Sequence, residues 1–499
     1  MKNVNTATER IYEAVARQQN ISIMADPDSD GLNSTAILYN YLSKITDNIT
    51  YFYGSRTRGH GLHTVIDEIP KQTNLLIVLD SSSSEAKECK HVQDTGIDVI
   101  VIDHHLIENP NDNCILVNPQ QEGCSYPNKN LSCSALIWQI CRVLDDKFNV
   151  NYSQDLVDMA AIGLISDMMC MKTMENRAIV SLGLSNVKNI GLAAILGFKG
   201  LKNKEKLSTV DIGFNVSNLL NAVARMDKLG LGLELLTTKT YTRADELVKE
   251  IEKSNKERKK SQIKHTDFVQ HKIDDTQKII IILDHEKKIG KNFAGLIAND
   301  ITKEYQRPCL ILSPDAKEGK TYAGSYRSYN GFDLKSFFES TGLVMYAAGH
   351  LGAGGVGVFK DKIEPFINKV QELAKDLDFE DTIEYDLEFD CDEINESIII
   401  EISKFYRITG ANFPLGKFLV KNLFVNDVEV MGKNKDTIKV SCGNVTLMKF
   451  RTKETYKDKV PIFSGINAVG TLNTNSYYNF QQKKMIKTNQ VFIEDILIG

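Results

Sequence analysis

Three short apolar runs in the first hundred or so residues all lead to an aspartate. Residues 20–25 (NISIMA) run into Asp26, residues 74–80 (NLLIVLD) close at Asp80, and residues 98–103 (DVIVID) close at Asp103. Runs this short and this uniformly apolar, bounded by polar residues and alternating with helical patterns, read as buried parallel strands of an α/β domain. In open parallel sheets ligands gather beyond the carboxyl ends of the strands, so acids recurring there can converge on one site.

The remaining pattern implies further domains, because 499 residues exceed a single ordinary core. Between about 200 and 270 the periodicity is helical, and residues 243–262 (RADELVKEIEKSNKERKKSQ) look like a long solvent-facing connector rich in opposite charges. A second α/β pattern opens at 278–285 (KIIIILDH), continues as a helix over 293–305 and returns to strand at 309–313 (CLILS). From about residue 385 strand-like runs alternate with turn residues, which predicts a small β-barrel.

No apolar stretch approaches the roughly 18 residues of a membrane span, and the N-terminus lacks a signal-peptide pattern, so a cytoplasmic chain without membrane contact is expected. Nine cysteines without a C-x-x-C pair argue against a disulfide framework and a structural zinc site, and read as reduced thiols. A net charge of −5 does not announce a nucleic-acid binder, so any such surface must be a local patch.

Residues 25–31 (ADPDSDG) crowd Asp26, Asp28 and Asp30 into one segment, with Gly31 expected to precede a helix. Carboxylates this close repel one another unless a cation neutralises them, and capping a helix needs one acid, not three. Asp80 is followed by four serines, and Asp103 by His104 and His105. Imidazoles beside an aspartate supply neutral nitrogen ligands and a phosphate contact or proton carrier. Asp167 ends an apolar helical run at 158–169, where an unpaired buried acid is costly. Together these groups could hold two cations about 4 Å apart, and carboxylate-rich ligation with one or two imidazoles suits Mn²⁺ or Mg²⁺.

The ordered segments DPDSDG, LIVLDSSSS, VIVIDHH and AAIGLISD resemble the four motifs of the DHH phosphoesterase superfamily. Later segments are similar to its RecJ family of single-strand-specific 5′ to 3′ DNA exonucleases: MENRAIVSLGL (174–184) and DIGFNVSNLLNAVARM (211–226). GSYRSYNGFDL (324–334) and AAGHLGAGG (347–355) resemble the accompanying DHHA1 domain, and RITGANFPLGKF with the β-rich sequence after it resembles the family's OB-fold domain. The resemblance implies a DHH domain over residues 1–200, a helical connector over 201–272, a smaller α/β DHHA1 domain over 273–378 and an OB-like barrel over 379–499.

It further implies two divalent ions, Mn²⁺ or Mg²⁺, held by Asp28, Asp30, Asp80, His104 and Asp167, with Asp26 as an additional ligand. His105 would contact the scissile phosphate and Asp103 would orient the histidines. Asn221 and Arg225 on the connector, with Ser325, Arg327, Ser328 and His350 in the second domain, would face DNA, because arginine forks phosphate oxygens and hydroxyls donate to them. A cleft too narrow for duplex, with stacking on Tyr326 or Tyr329, would select a single strand. The expected reaction is exonucleolytic release of mononucleotides in repair or recombination, with single-stranded-DNA-binding protein and a helicase as partners. Two other readings are a DHH enzyme cleaving oligoribonucleotides or cyclic dinucleotides, and a non-catalytic DNA-binding scaffold. The chain departs from the family where Leu219 stands for an arginine, Ala224 for a glycine, and AAGHLGAGG for a double glycine before the histidine; the FPLG segment also lacks the usual Pro-Phe-Gly. These changes touch substrate grip more than metal chemistry.

Overall fold

The computed structural model describes residues 1–202, 207–315, 320–350, 352–379, 383–450, 452, 454–479 and 483–497. The three aspartate-terminated runs form adjacent strands of one parallel sheet. After α1 (Val4–Ala16) come β1 (Ile21–Ala25), α2 (Ser29–Leu42), β2 (Ile49–Tyr53), β3 (Leu75–Leu79), α3 (Ala86–Gln93), β4 (Asp98–Ile102) and β5 (Ile115–Val117), with strand order β2-β1-β3-β4-β5. Side chains alternate between two buried faces. Ile23, Ile77, Leu79, Ile100 and Ile102 pack with α2 and α4 (Cys133–Phe148), while Met24, Leu76, Val78, Val99 and Val101 pack with Cys89 and Val92 of α3. Burial on both faces explains why the strands read as unbroken apolar runs. Helices α5 (Val157–Ser166), α6 (Met174–Ser185) and α7 (Ile190–Phe198) complete this layer.

The connector comprises α8 (Thr209–Ile212), a π-helical turn at Gly213–Ser217, α9 (Asn218–Arg225), α10 (Leu229–Thr237) and α11 (Tyr241–Gln270). The 30 residues of α11 span about 45 Å. Its first turns bury Ala244, Leu247, Val248 and Ile251 in the core of the first domain, at the spacing of one helix face, whereas Val269 near its end belongs to the core of the second. One helix is thereby embedded in both domains.

The second domain is a mixed sheet of order β6-β7-β8-β10-β9, built from β6 (Ile280–Leu283), β7 (Cys309–Pro314), β8 (Thr321–Arg327), β9 (Val344–His350) and β10 (Ala353–Phe359). Helix α12 (Lys291–Tyr305) covers one face, and α13 (Leu334–Ser340) and α14 (Ile363–Ala374) the other. Tyr326 is fully buried against Phe338, with ring centroids 5.6 Å apart, so it cannot stack on a base. Strand alternation places Ser325 and Arg327 on the opposite face, towards α12.

The C-terminal segment folds as a seven-stranded mixed sheet of order β11-β12-β16-β17-β15-β14-β13. Its strands are β11 (Leu387–Asp390), β12 (Phe418–Phe424), β13 (Asp427–Met431), β14 (Thr437–Cys442), β15 (Val445–Phe450), β16 (Gly465–Asn479) and β17 (Lys484–Leu497), with α15 (Glu396–Tyr406) packed on β16. The turn after α15 docks on the first domain: Met171 N–H donates to Ala411 O at 2.8 Å, and Arg407 Nη2 donates to Ser185 Oγ at 2.8 Å. Met171 lies four residues beyond Asp167, so this domain adjoins the acidic site. Among the described residues no single helix is long and apolar enough to cross a membrane.

Candidate active site

Asp26, Asp80 and Asp103 each follow the last residue of a strand, and they meet beyond the carboxyl edge of the parallel sheet. Helix α2 starts at Ser29, two residues before Gly31, so Asp30 and Gly31 occupy its first turn rather than precede it. Asp28 is its N-cap, accepting from Asp30 N at 2.9 Å and Gly31 N at 3.0 Å through Oδ1. A Cβ at Gly31 would lie 2.4 Å from Asp26 O, so only glycine lets the helix start this close to the strand end.

Asp30 points inward. Its carboxylate accepts from Cys133 N at 2.6 Å and Ser134 Oγ at 2.5 Å, pinning the start of α4. Gly163 on α5 makes room for this contact, since a Cβ there would meet Ser134 Oγ at 1.7 Å and Asp30 Oδ1 at 2.2 Å. Asp167 caps the C-terminal end of α5 and faces His104, whose Nε2 lies 3.4 Å from Asp167 Oδ2 and 3.2 Å from Asp80 Oδ1. Asp103 Oδ1 accepts from His104 N at 2.7 Å, His105 N at 3.1 Å and His105 Nδ1 at 2.7 Å, and Oδ2 from Ser83 N at 3.3 Å. The four-serine turn thus helps fix the aspartate, and the aspartate fixes the His105 ring.

Donor atoms fall into overlapping groups, each within 4.8 Å: Asp26, Asp28 and Asp80; Asp30, His104 and Asp167; Asp80, Asp103, His104 and His105. Asp80 and His104 each belong to two of them. Backbone strain marks the same place, because Asp80, Ser82 and Met168 have φ of 64°, 72° and 55°.

The electrostatics of the site demand positive charge. Burial and the neighbouring Asp30 and Asp28 push Asp80 and Asp167 well above the usual carboxylate range, and burial raises Asp30 to about 6. Burial also raises Asp26 against the pull of His60. Asp28 goes the other way: despite burial, the Gly31 N–H and Arg56 hold it low. Burial opposes charge on both partners of the His105–Asp103 pair, yet their hydrogen bond keeps Asp103 well below the carboxylate range and lifts His105 to about 9. Asp26 Oδ1 is buried without a hydrogen-bond partner. An orphaned carboxylate oxygen among like charges, in an oxygen-rich donor set with one or two imidazoles, fits hard or borderline divalent cations.

A cavity of about 220 Å³ opens over these groups, lined by His60, Asp80, Ser81 to Ser84, Asp103 and His105. Around Arg225, guanidinium groups gather from separate parts of the fold. Arg225 is held down to about 9 by burial and by Arg56, Arg258 and Arg327, while Asp28 pulls it up. Arg56 Nη1 donates to Pro27 O at 2.8 Å, and Arg225 Nη1 donates to Asn292 O at 2.9 Å, tying α9 to α12. Arg327 lies against Gly295 of α12.

Asn221 is half-buried on the same short helix as Arg225, and Ser325 half-buried on the same strand as Arg327. The Ser328 hydroxyl donates to Phe332 O and is engaged within its own turn. The side chain of His350 lies outside the described residues. Leu219 is buried in the first core, so that position contributes no cation.

Sequence reasoning missed Arg56, His60 and Arg258. The first two sit in the glycine-punctuated segment GSRTRGHG just beyond β2, at the same sheet edge as the acids, and the strand-end rule applied to β2 would have found them. Arg258 sits mid-helix in a charged stretch, with no local signal to distinguish it.

Residues 20–164 match the family model "DHH family, N-terminal domain", and residues 385–487 match "RecJ OB domain". The first domain is thus similar to the DHH family, and the C-terminal domain to the OB domain of RecJ. Among its relatives, the putative SPbeta prophage-derived single-strand DNA-specific exonuclease YorK of Bacillus subtilis is 27% identical, covering 99% of this chain and 90% of YorK. The single-stranded-DNA-specific exonuclease RecJ of the same organism is 29% identical over 97% of this chain and 63% of that protein. Among solved structures, RecJ of Thermus thermophilus in complex with Mn²⁺ superposes with a TM-score of 0.80 at 19% identity, covering all of this chain and 72% of that one. The RecJ-like fold accounts for the order of the three sheets. The acids, histidines and arginines described above are this chain's own.

Proposed function

We propose that the chain is a single-strand DNA-specific exonuclease that hydrolyses phosphodiester bonds with two divalent cations, Mn²⁺ or Mg²⁺. The observation that carries this reading is the pair of donor groups, Asp26, Asp28 and Asp80 beside Asp30, His104 and Asp167, joined by the 3.2 Å contact of Asp80 and His104. Bound there, such cations supply Lewis acidity to the phosphoryl oxygens and lower the pKa of water.

The chain's own residues do the rest. Asp103 holds His105 through Nδ1, leaving the ring's other nitrogen for a non-bridging oxygen of the scissile phosphate. Arg225 and Arg327, with Arg56 and Arg258, supply the positive charge that receives the phosphate at the strand's end, and their burial strengthens each contact. Asn221, Ser325, Ser328 and His350 are assigned to further contacts with the strand. The C-terminal sheet domain, docked beside Asp167, extends the track for the rest of the strand. A chain end held at the arginine cluster fixes which end is cut first, and we assign 5′ to 3′ polarity with mononucleotide release.

A cytoplasmic role in repair or recombination, supplied with substrate by a helicase and a single-stranded-DNA-binding protein, completes the proposal. Degradation of DNA labelled at the 5′ or 3′ end, with Mn²⁺ or Mg²⁺, tests it. Release of labelled mononucleotide first from 5′-labelled single strands, with blunt duplex spared, is the expected result. Preference for a dinucleotide over a long strand would favour a small-substrate phosphodiesterase. Binding without cleavage under every metal would favour a scaffold.

A further inference from the structure

Asp26 is 1% exposed, and its two oxygens have different surroundings. Oδ1 is buried without a hydrogen-bond partner, whereas Oδ2 lies 2.7 Å from His60 Nδ1. The imidazole is delivered by a segment built for that contact. Gly59 and Gly61 on either side of it have φ of 109° and 96°, a left-handed backbone that glycine adopts freely. Leu62 N–H then anchors the segment to Ser82 Oγ at 2.9 Å and Glu85 Oε2 at 2.7 Å, and a Cβ at Gly61 would lie 2.5 Å from the Glu85 carboxylate. His60 is therefore fastened to the loop that follows Asp80 while it bonds to the carboxylate that follows β1.

We propose that His60 is a positioning residue for the metal site: its Nδ1–H occupies Asp26 Oδ2 and so turns Oδ1 alone towards the cation shared with Asp28 and Asp80. The inference rests on the two-cation reading of this site. A carboxylate with both oxygens free can rotate, chelate or take a proton; one oxygen engaged by a fixed donor leaves a single orientation, and groups that orient metal ligands typically govern metal affinity. A neutral imidazole with its proton on Nδ1 suffices, so no change of protonation is involved. The arrangement repeats across the cavity, where Asp103 engages His105 through Nδ1 at the same 2.7 Å.

Three variants test the assignment: His60→Ala removes the donor, His60→Asn restores an N–H where Nδ1 stood, and His60→Gln places it one bond too far. Mn²⁺ affinity is read by the electron paramagnetic resonance of free Mn²⁺, alongside metal-free melting temperature and single-strand cleavage. His60→Ala and His60→Gln are expected to bind Mn²⁺ about 10- to 100-fold more weakly. His60→Asn should stay within about 3-fold of the parent, all with metal-free melting temperatures like the parent's, and cleavage by the weakened variants should recover at high Mn²⁺. Parent-like affinity in both His60→Ala and His60→Gln overturns the proposal, and so does equal weakening in all three variants. If His60→Ala fails to fold, the contrast between asparagine and glutamine decides alone. A parent that takes up no Mn²⁺ at millimolar concentration instead removes the two-cation reading.

Discussion

At the acidic site, six aspartates and two histidines come from strand ends, the start of α2 and the tip of α5; around Arg225, four arginines come from a loop, two connector helices and a strand of the second domain. Both groups concentrate like charge, but they differ in how each charge is held. Most of the aspartates are hydrogen-bonded into turns and caps, and burial raises Asp26, Asp30, Asp80 and Asp167 all the same. The arginines reach backbone carbonyls and amide side chains, with Arg56 on Pro27 O, Arg225 on Asn292 O and Arg258 on Asn255 Oδ1. One group is built to take small cations into fixed geometry, and the other to take a larger anion whose position can adjust.

The largest effect is expected at Asp80. Asp80→Asn or His104→Ala is expected to lower single-strand cleavage at saturating Mn²⁺ by about 10³-fold or more, because each belongs to two donor groups. The same Asp80→Asn should raise the metal-free melting temperature, by on the order of 1 kcal/mol in stability, since it removes a buried like charge. An asparagine variant that is both inactive and less stable would show that the site is structural.

Arg225→Ala and Arg327→Ala should act on the anion and leave Mn²⁺ binding alone. Each should weaken single-strand binding by about 1–3 kcal/mol and reduce the salt dependence by about one phosphate contact. Equal loss of Mn²⁺ affinity in these variants would merge the two regions into one.

Gly163→Ala addresses packing under the acids. The added methyl group would meet Ser134 Oγ and Asp30 Oδ1, and a loss of about 1–3 kcal/mol in thermal unfolding is expected, together with weaker Mn²⁺ binding.

The smallest effect is read by pH. Asp30, at about 6 in the metal-free fold against 3.8 ordinarily, keeps a proton that the unfolded chain has already lost. Its contribution to metal-free stability is therefore full below pH 3.8 and is lost as pH rises through about 6, with Asp80 and Asp167 raised in the same direction. Metal binding needs the ionised carboxylates, so Mn²⁺ affinity rises across that window and protons are released. Melting curves from pH 5 to 7.5 with and without Mn²⁺ should diverge, the metal-free midpoint falling and the loaded one holding or rising.

What the sequence disclosed follows the range over which each feature is determined. The parallel strands were legible because burial on both faces erases alternation, and the acids because each sits next to its own strand. The helix start at Ser29 was placed late, beyond Gly31, since the polar DPDSDG segment conceals that Asp28 itself is the cap. Tyr326 was misjudged as a stacking surface, although alternation along β8 puts it opposite Ser325 and Arg327. The meeting of Arg56, Arg225, Arg258 and Arg327 depends on how α11 spans two domains and α9 docks on α12, which no local pattern encodes.

Anomalous scattering from a crystal grown with manganese decides whether the buried acids hold metal. Two Mn²⁺ ions are expected, one among Asp26, Asp28 and Asp80 and the other among Asp30, His104 and Asp167. A pocket without anomalous signal at millimolar Mn²⁺, its carboxylates bonded to one another instead, would contradict this expectation.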